Sequence, residues 1–222
     1  MLEITTLSEL TIDGKLSLGP GASSKDLFAF YGDDLRTWFH AQRAQHDAIM
    51  VGAGTVRSDD PELTVRYAQG ADPLRVVPAS LGHLPLDSRL LNDGRPTLVA
   101  VSNQASDEAV EALRAKPMVE VVRCGEDRVD LAALSAVLHA RGVRTLIAEG
   151  GSRLLHSLFE AQMVSQIVIK HIPVISGAAD APTFLRAGDG ASALSLSRWR
   201  LTEWFIKSGV GVSIYRPIEA AA

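Results

Sequence analysis

The chain has 222 residues, is 46% hydrophobic and 22% charged, and carries a formal net charge of −4. That length buries a sizeable core as one large domain, and the mildly acidic balance argues against a nucleic-acid or anionic-membrane surface, each of which needs a clustered basic face. Its single cysteine, Cys124, excludes an internal disulfide and a multi-cysteine zinc site, and no apolar run approaches the roughly 18 residues of a membrane span. The opening residues MLEITTL lack a basic stretch followed by an apolar one, so no signal peptide is expected and a cytoplasmic setting is.

In chain order, the run up to Ile12 reads as a strand turned by Asp13 and Gly14, and residues 19–24 read as loop. Leu35, Trp38, Phe39 and Gln42 recur at helical spacing and predict a helix over 34–46. Residues 48–51 form a short apolar run of the kind covered on both faces. Residues 52–66 (GAGTVRSDDPELTVR) then read as a strand-end loop. Strands follow over 74–77 and 97–101, with the Pro- and Gly-bearing stretch 78–96 irregular between them. Next come a helix over 106–115 stopped by Pro117, a strand over 119–122 ending near Cys124, and a helix capped by Asp130 and closed by Gly142. A strand over 145–148, a Gly-Gly turn and a helix bearing Leu154, Leu155, Leu158 and Phe159 come after it. Strands over 164–172, 198–207 and 211–216 close the chain, the last two joined by the hairpin signal Ser208-Gly209-Val210. Alternation through the middle and strand pairing at the end predict an α/β fold, a mostly parallel central sheet with antiparallel C-terminal strands and flanking helices. No G-x-G-x-x-G fingerprint supports an ordinary Rossmann domain.

Several residues offer chemistry. Glu149-Gly150-Gly151-Ser152 follows a buried strand and opens a helix, where glycines admit a ligand and first-turn N–H groups favour an anion. The plain reading, that Gly-Gly only permits a tight turn, has equal standing. Thr55 and Asp59 lie four apart and share a side, unless Thr55 is a helix cap and Asp60-Pro61 a helix stop. Asp59 can accept from sugar hydroxyls, and Arg66 can grip a phosphate in a bidentate way. Arg43 shares a helical face with Leu35 and Phe39 and calls for a fixed anion, Asp47 within the chain being one choice. Lys15 sits beside the first turn, where most lysines are solvated. The six histidines show no metal-ligand spacing, and no G-x-S-x-G elbow supports a serine hydrolase, so chemistry supplied by a bound cofactor fits better.

Taken together, residues 11–15 (TIDGK), Arg43 ahead of 48–55 (AIMVGAGT), 59–66 (DDPELTVR), 74–77 (LRVV) and 146–152 (LIAEGGS) resemble the reductase domain of riboflavin biosynthesis, the RibD C-terminal family. The resemblance implies a dihydrofolate-reductase-like fold, an NADPH cofactor and a homodimer. It implies that Thr55, Asp59, Ser80, Gly150, Gly151, Ser152, Arg153 and Leu154 hold the dinucleotide. Arg43, Leu63, Arg66 and Glu149 are implied to bind a phosphorylated pyrimidine substrate, with Lys15 and Glu149 as candidate catalytic groups. The implied reaction reduces a ribosylamino-pyrimidine 5′-phosphate to its ribitylamino form.

The chain departs from the family where Val76-Val77 leads into Pro78-Ala79-Ser80 without the usual aspartate, where Ser165-Gln166 replaces an Asp-Glu pair, and between Ser23 and Asp33. These departures bear on substrate more than on fold. Two alternatives stay open: the same fold reducing a pteridine or another pyrimidine, and a non-catalytic nucleotide-binding derivative. No H-x-E with P-C-x-x-C signals an accompanying zinc deaminase, so a single reductase domain over 1–222 is expected.

Overall fold

The computed structural model describes residues 2–188 and 193–218. Its elements run β1 (Glu3–Thr11), a 3-10 helix (Ser24–Phe30), α1 (Asp33–Ala44), β2 (Ala48–Met50), α2 (Ala53–Asp59) and β3 (Leu74–Pro78). There follow α3 (Arg89–Asn92), β4 (Thr97–Val101), α4 (Asp107–Arg114), β5 (Val119–Arg123) and α5 (Leu131–Ala140). The chain closes with β6 (Thr145–Ala148), α6 (Ser152–Glu160), β7 (Val164–Ile172), β8 (Trp199–Lys207) and β9 (Val210–Pro217). It divides into two compact units, Met1–Leu2 with His40–Ile147 and Glu3–Phe39 with Ala148–Ala222.

In the first unit the strand order is β5-β4-β3-β2-β6. Strands β2 to β5 pair in parallel. Every residue of β2 and β4 is buried, as expected of parallel strands covered on both faces. The crossover helices start where the sequence provides caps. The Ser106 hydroxyl accepts from the Ala109 N–H ahead of α4, and Asp130 accepts from the Ala132 and Ala133 N–H groups ahead of α5. Gly142, at φ +89, closes α5 as the sequence predicts, with the Val143 N–H returning to the Leu138 carbonyl.

In the second unit the order is β1-β7-β9-β8. Strands β1 and β7 are parallel, while β9 runs antiparallel to both β7 and β8. Ser165, one of the departures from the family pattern, accepts from the Ile4 N–H at 2.8 Å and donates to the Ile4 carbonyl at 3.0 Å, stapling β1 to β7 at its irregular register. Lys170 is fully buried there, 2.9 Å from Glu9 and 3.8 Å from the centre of the Phe39 ring.

Two expectations need correction. Residues 53–59 are helical rather than loop, with Val56 and Asp59 turned inward one turn apart; Gly52 is the N-cap, so Thr55 is not, while Asp60 ends the helix as its place before Pro61 predicts. The stretch 78–96, expected to be irregular, contains α3, which buries Leu90 and Leu91. At the end of the loop expected over 19–24, Ser24–Phe30 form a 3-10 helix started by the Ser23 hydroxyl that buries Leu27. Among the described residues no helix is long and apolar enough to cross a membrane.

Candidate active site

In the first unit Thr55, Asp59, Leu63 and Arg66 follow the carboxyl end of β2, while Arg43 lies on α1 and Ser80 two residues past β3. Helix α2 places Thr55 half-buried and Asp59 buried, on successive turns of one side. Asp60 ends it in the left-handed region (φ 40), and Leu63 takes the same region (φ 56) while only 2% exposed. Such backbone costs ~1–3 kcal/mol and persists where the surroundings over-determine it, a habit of ligand clamps.

Thr64 joins the two arginines that the sequence singles out. Arg43, 6% exposed on α1, donates from Nη1 to the Thr64 carbonyl at 2.9 Å. Arg66 donates from Nη1 to Thr64 Oγ1 at 2.8 Å and forms an ion pair with Glu62. The Arg66 backbone N–H donates to Nδ1 of buried His40 at 3.1 Å, which requires Nδ1 to be unprotonated. The His40 ring meets Tyr67 edge-on, 4.9 Å between centroids.

This segment is pinned from behind. The Val65 N–H donates to Asp72 at 2.7 Å, and buried Arg75 donates to the Glu62 carbonyl at 3.2 Å. Arg75 also grips both Asp93 oxygens, at 2.7 and 2.8 Å. Burial alone would raise the Asp93 carboxyl, but the Arg75 guanidinium and the Arg95 N–H hold it below its ordinary range. Ser80, at the end of β3, accepts the Val129 N–H on its hydroxyl at 3.0 Å, and its carbonyl accepts from Ser102. That hydroxyl oxygen serves the loop before α5.

In the second unit, Lys15 follows β1. Its N–H donates to Thr11 Oγ1 at 2.9 Å and its Nζ to the Ala179 carbonyl at 3.2 Å. Asp13 fixes the same turn, receiving the Thr11 hydroxyl and the Ser176 and Gly177 N–H groups at 2.7–3.0 Å. Those bonds, the Thr11 hydroxyl foremost, hold its carboxyl at about 2. After β6 comes half-buried Glu149, then Gly150 at φ +95 and a cis Gly150–Gly151 peptide. Gly151 opens α6 without a side-chain cap, so the first turn offers backbone N–H groups. Ser152 and Leu154 are buried and Arg153 is exposed. Thus Lys15 lies beside the Asp13 turn, and residues 149–154 form one strand-to-helix junction.

Thr64, His40, Glu62 and Arg75 belong to this arrangement, as does Arg89, which donates to the Glu62 carboxylate at 3.1 Å, and none of them stands out in the sequence alone. The i,i+4 spacing of Glu62 and Arg66, and the i,i+3 spacing of His40 and Arg43 along α1, are signals for two of them.

The sequence profile of the RibD C-terminal domain matches residues 3–207, covering most of both units. A protein of Aquifex aeolicus named 2,5-diamino-6-ribosylamino-4(3H)-pyrimidinone 5′-phosphate reductase is 37% identical over 206 residues, spanning 92% of this chain and 91% of its own length. A protein of the same name from Archaeoglobus fulgidus is 42% identical over 198 residues, 85% of this chain and 86% of its own. In fold, the chain is similar to a pyrimidine reductase-like protein of Corynebacterium diphtheriae, with a TM-score of 0.82 at 20% identity over 99% of this chain and 93% of the other. The chain therefore belongs to the RibD C-terminal domain family.

Proposed function

We propose that the chain is an NADPH-dependent reductase that converts a ribosylamino-pyrimidine 5′-phosphate to its ribitylamino form in riboflavin biosynthesis. The observation that carries this reading is the meeting of Arg43 and Arg66 on Thr64, one on its carbonyl and one on its hydroxyl. Two guanidinium groups on one residue form a grip suited to a phosphate dianion, and a substrate without phosphate has no use for both. The names of the relatives favour the aminated pyrimidine as acceptor.

NADPH fits the donors present. Gly150 brings no side chain, and the uncapped first turn of α6 suits a pyrophosphate. Thr55, Asp59 and Ser80 supply acceptors and donors for ribose hydroxyls, while Arg153 and Leu154 add a cation and an apolar wall. When bound, NADPH supplies the hydride that reduces C1′ of the opened sugar. For that acceptor the residues proposed are Arg43 and Arg66 for the phosphate, with Leu63 of the first unit and Glu149 of the second for the rest of the substrate. Reduction of the C1′ imine also adds a proton to its nitrogen, and Lys15 is the proposed donor. Catalysis then rests on near-attack positioning of donor and acceptor.

Both units are proposed to form one reductase domain, working as a cytoplasmic homodimer. Edge strand β8 supports the dimer: among the described strands it pairs only with β9, and it exposes Leu201, Trp204 and Ile206.

Steady-state kinetics test the site. Arg66→Ala is expected to raise KM for the phosphorylated substrate by about 10-fold or more, the loss of a charge-assisted contact. Asp59→Ala is expected to raise KM for NADPH instead. Unchanged kinetics in both variants would end this assignment.

A further inference from the structure

Arg66 is not waiting bare for an anion, since Glu62, four residues before it, already neutralises it as an ion pair. The other oxygen of the same carboxylate accepts from Arg89 Nη1 at 3.1 Å. Arg89 is itself fixed by Asp60, through its backbone N–H at 2.8 Å and its Nε at 3.2 Å. The Glu62 carbonyl is held by buried Arg75 at 3.2 Å, so its backbone is pinned while its carboxylate bridges two guanidinium groups.

We propose that Glu62 is a resident counter-ion of Arg66 that an incoming phosphate displaces onto Arg89. This deepens the reading of Arg66 as a phosphate ligand and rests on it. A phosphate within hydrogen-bonding reach of Arg66 would lie a few ångströms from the Glu62 carboxylate, and two anions on one guanidinium repel. Rotation of the Glu62 side chain toward Arg89, which already holds one of its oxygens, relieves that repulsion without moving the backbone. No bond is made or broken covalently; one ion pair is exchanged for another.

The exchange makes Glu62 a specificity-determining residue. A ribosylamino-pyrimidine lacking phosphate meets an arginine that is already satisfied and gains little from it. A phosphorylated one replaces the carboxylate with a dianion, and Arg89 takes the displaced charge. The side chains of Glu62 and Arg66 are 35% and 43% exposed, so the pair is of the weak, solvent-screened kind and its displacement costs only a small factor in affinity. That weakness suits a counter-ion that must leave in every turnover.

Kinetics of four variants, with inorganic phosphate as a competing probe, test the exchange. Glu62→Gln keeps the shape and removes the charge. It is expected to lower KM for the phosphorylated substrate about two- to five-fold and to lower the inhibition constant of inorganic phosphate by the same factor, with KM for NADPH unmoved. Arg89→Ala is expected to raise KM for that substrate by a similar factor, and to have no effect when Glu62→Gln is already present. An unchanged or raised KM in Glu62→Gln would overturn the exchange. So would an Arg89→Ala effect of equal size in both backgrounds, because Arg89 would then touch the phosphate itself. Arg66→Ala separates this proposal from the one beneath it: if that variant leaves KM alone, the phosphate reading fails, whereas if it raises KM while Glu62→Gln does nothing, only the counter-ion role fails.

Discussion

Arg75 is 1% exposed, yet its guanidinium binds Asp93 and donates to the carbonyls of Glu62, Leu90 and Arg95. A buried charge is tolerated when it is paired in this way, here through both Nη atoms while the buried Nε has no partner among the described residues, and breaking such a pair strands the partner. Arg75→Ala is expected to lower stability by about 3 kcal/mol, read from the urea unfolding midpoint, and an unchanged midpoint would mean the pair is idle. The role of Arg75 is not legible in the sequence, because it sits in an apolar run and its partners lie 13–20 residues away. Asp13 gives a pH signature. Its folded carboxyl is held at about 2, below the ordinary carboxylate value of about 3.9. A depressed carboxylate contributes stability above the unfolded value and loses it as pH falls through the folded one. The stability gap between wild type and Asp13→Asn should therefore be full near neutral pH, shrink below about pH 4 and vanish only below about pH 2. A gap independent of pH would place the effect of Asp13 in shape rather than charge.

Among the elements, those with caps or continuous apolar runs were legible. The Asp130 and Gly142 signals bracket α5 as written in the sequence, because capping is local chemistry that neighbours in the chain decide. Asp130→Ala removes the acceptor for two backbone N–H groups and is expected to cost about 1 kcal/mol; thermal unfolding measures it, and no change would mean water replaces the cap. For helix α2 the stop at Asp60-Pro61 and the shared side of Thr55 and Asp59 are legible, but its full span is not, because seven residues with a glycine in the first turn carry little periodic signal. What makes it a helix is burial of Val56 and Asp59, a tertiary fact. The short α3 escaped for the same reason, its Leu90 and Leu91 adjacent rather than spaced. Strand β8 carries its own prediction. Its exposed Trp204 and Ile206 are apolar at an open edge, so charge placed there by Ile206→Lys is expected to shift the proposed dimer to monomer in light scattering. A wild-type monomer would remove the dimer from the proposal.

At the scale of the whole molecule, the order of strands and helices was readable because alternation of buried strands and amphipathic helices leaves few arrangements. The family pattern was readable from loop motifs, since residues at strand ends are held by chemistry rather than by packing alone. The support behind those motifs was not: Thr64 linking two arginines, His40 under Arg66 and Glu62 between Arg66 and Arg89 are contacts that only a folded chain brings about. Both units carry residues assigned to the reaction, so activity is expected of the whole chain. Purified protein mixed with NADPH and 2,5-diamino-6-ribosylamino-4(3H)-pyrimidinone 5′-phosphate should consume the reduced nicotinamide absorbance and yield the ribitylamino product. NADPH oxidation with dihydrofolate alone, or NADPH binding with no turnover of either the aminated or the deaminated pyrimidine phosphate, would contradict it.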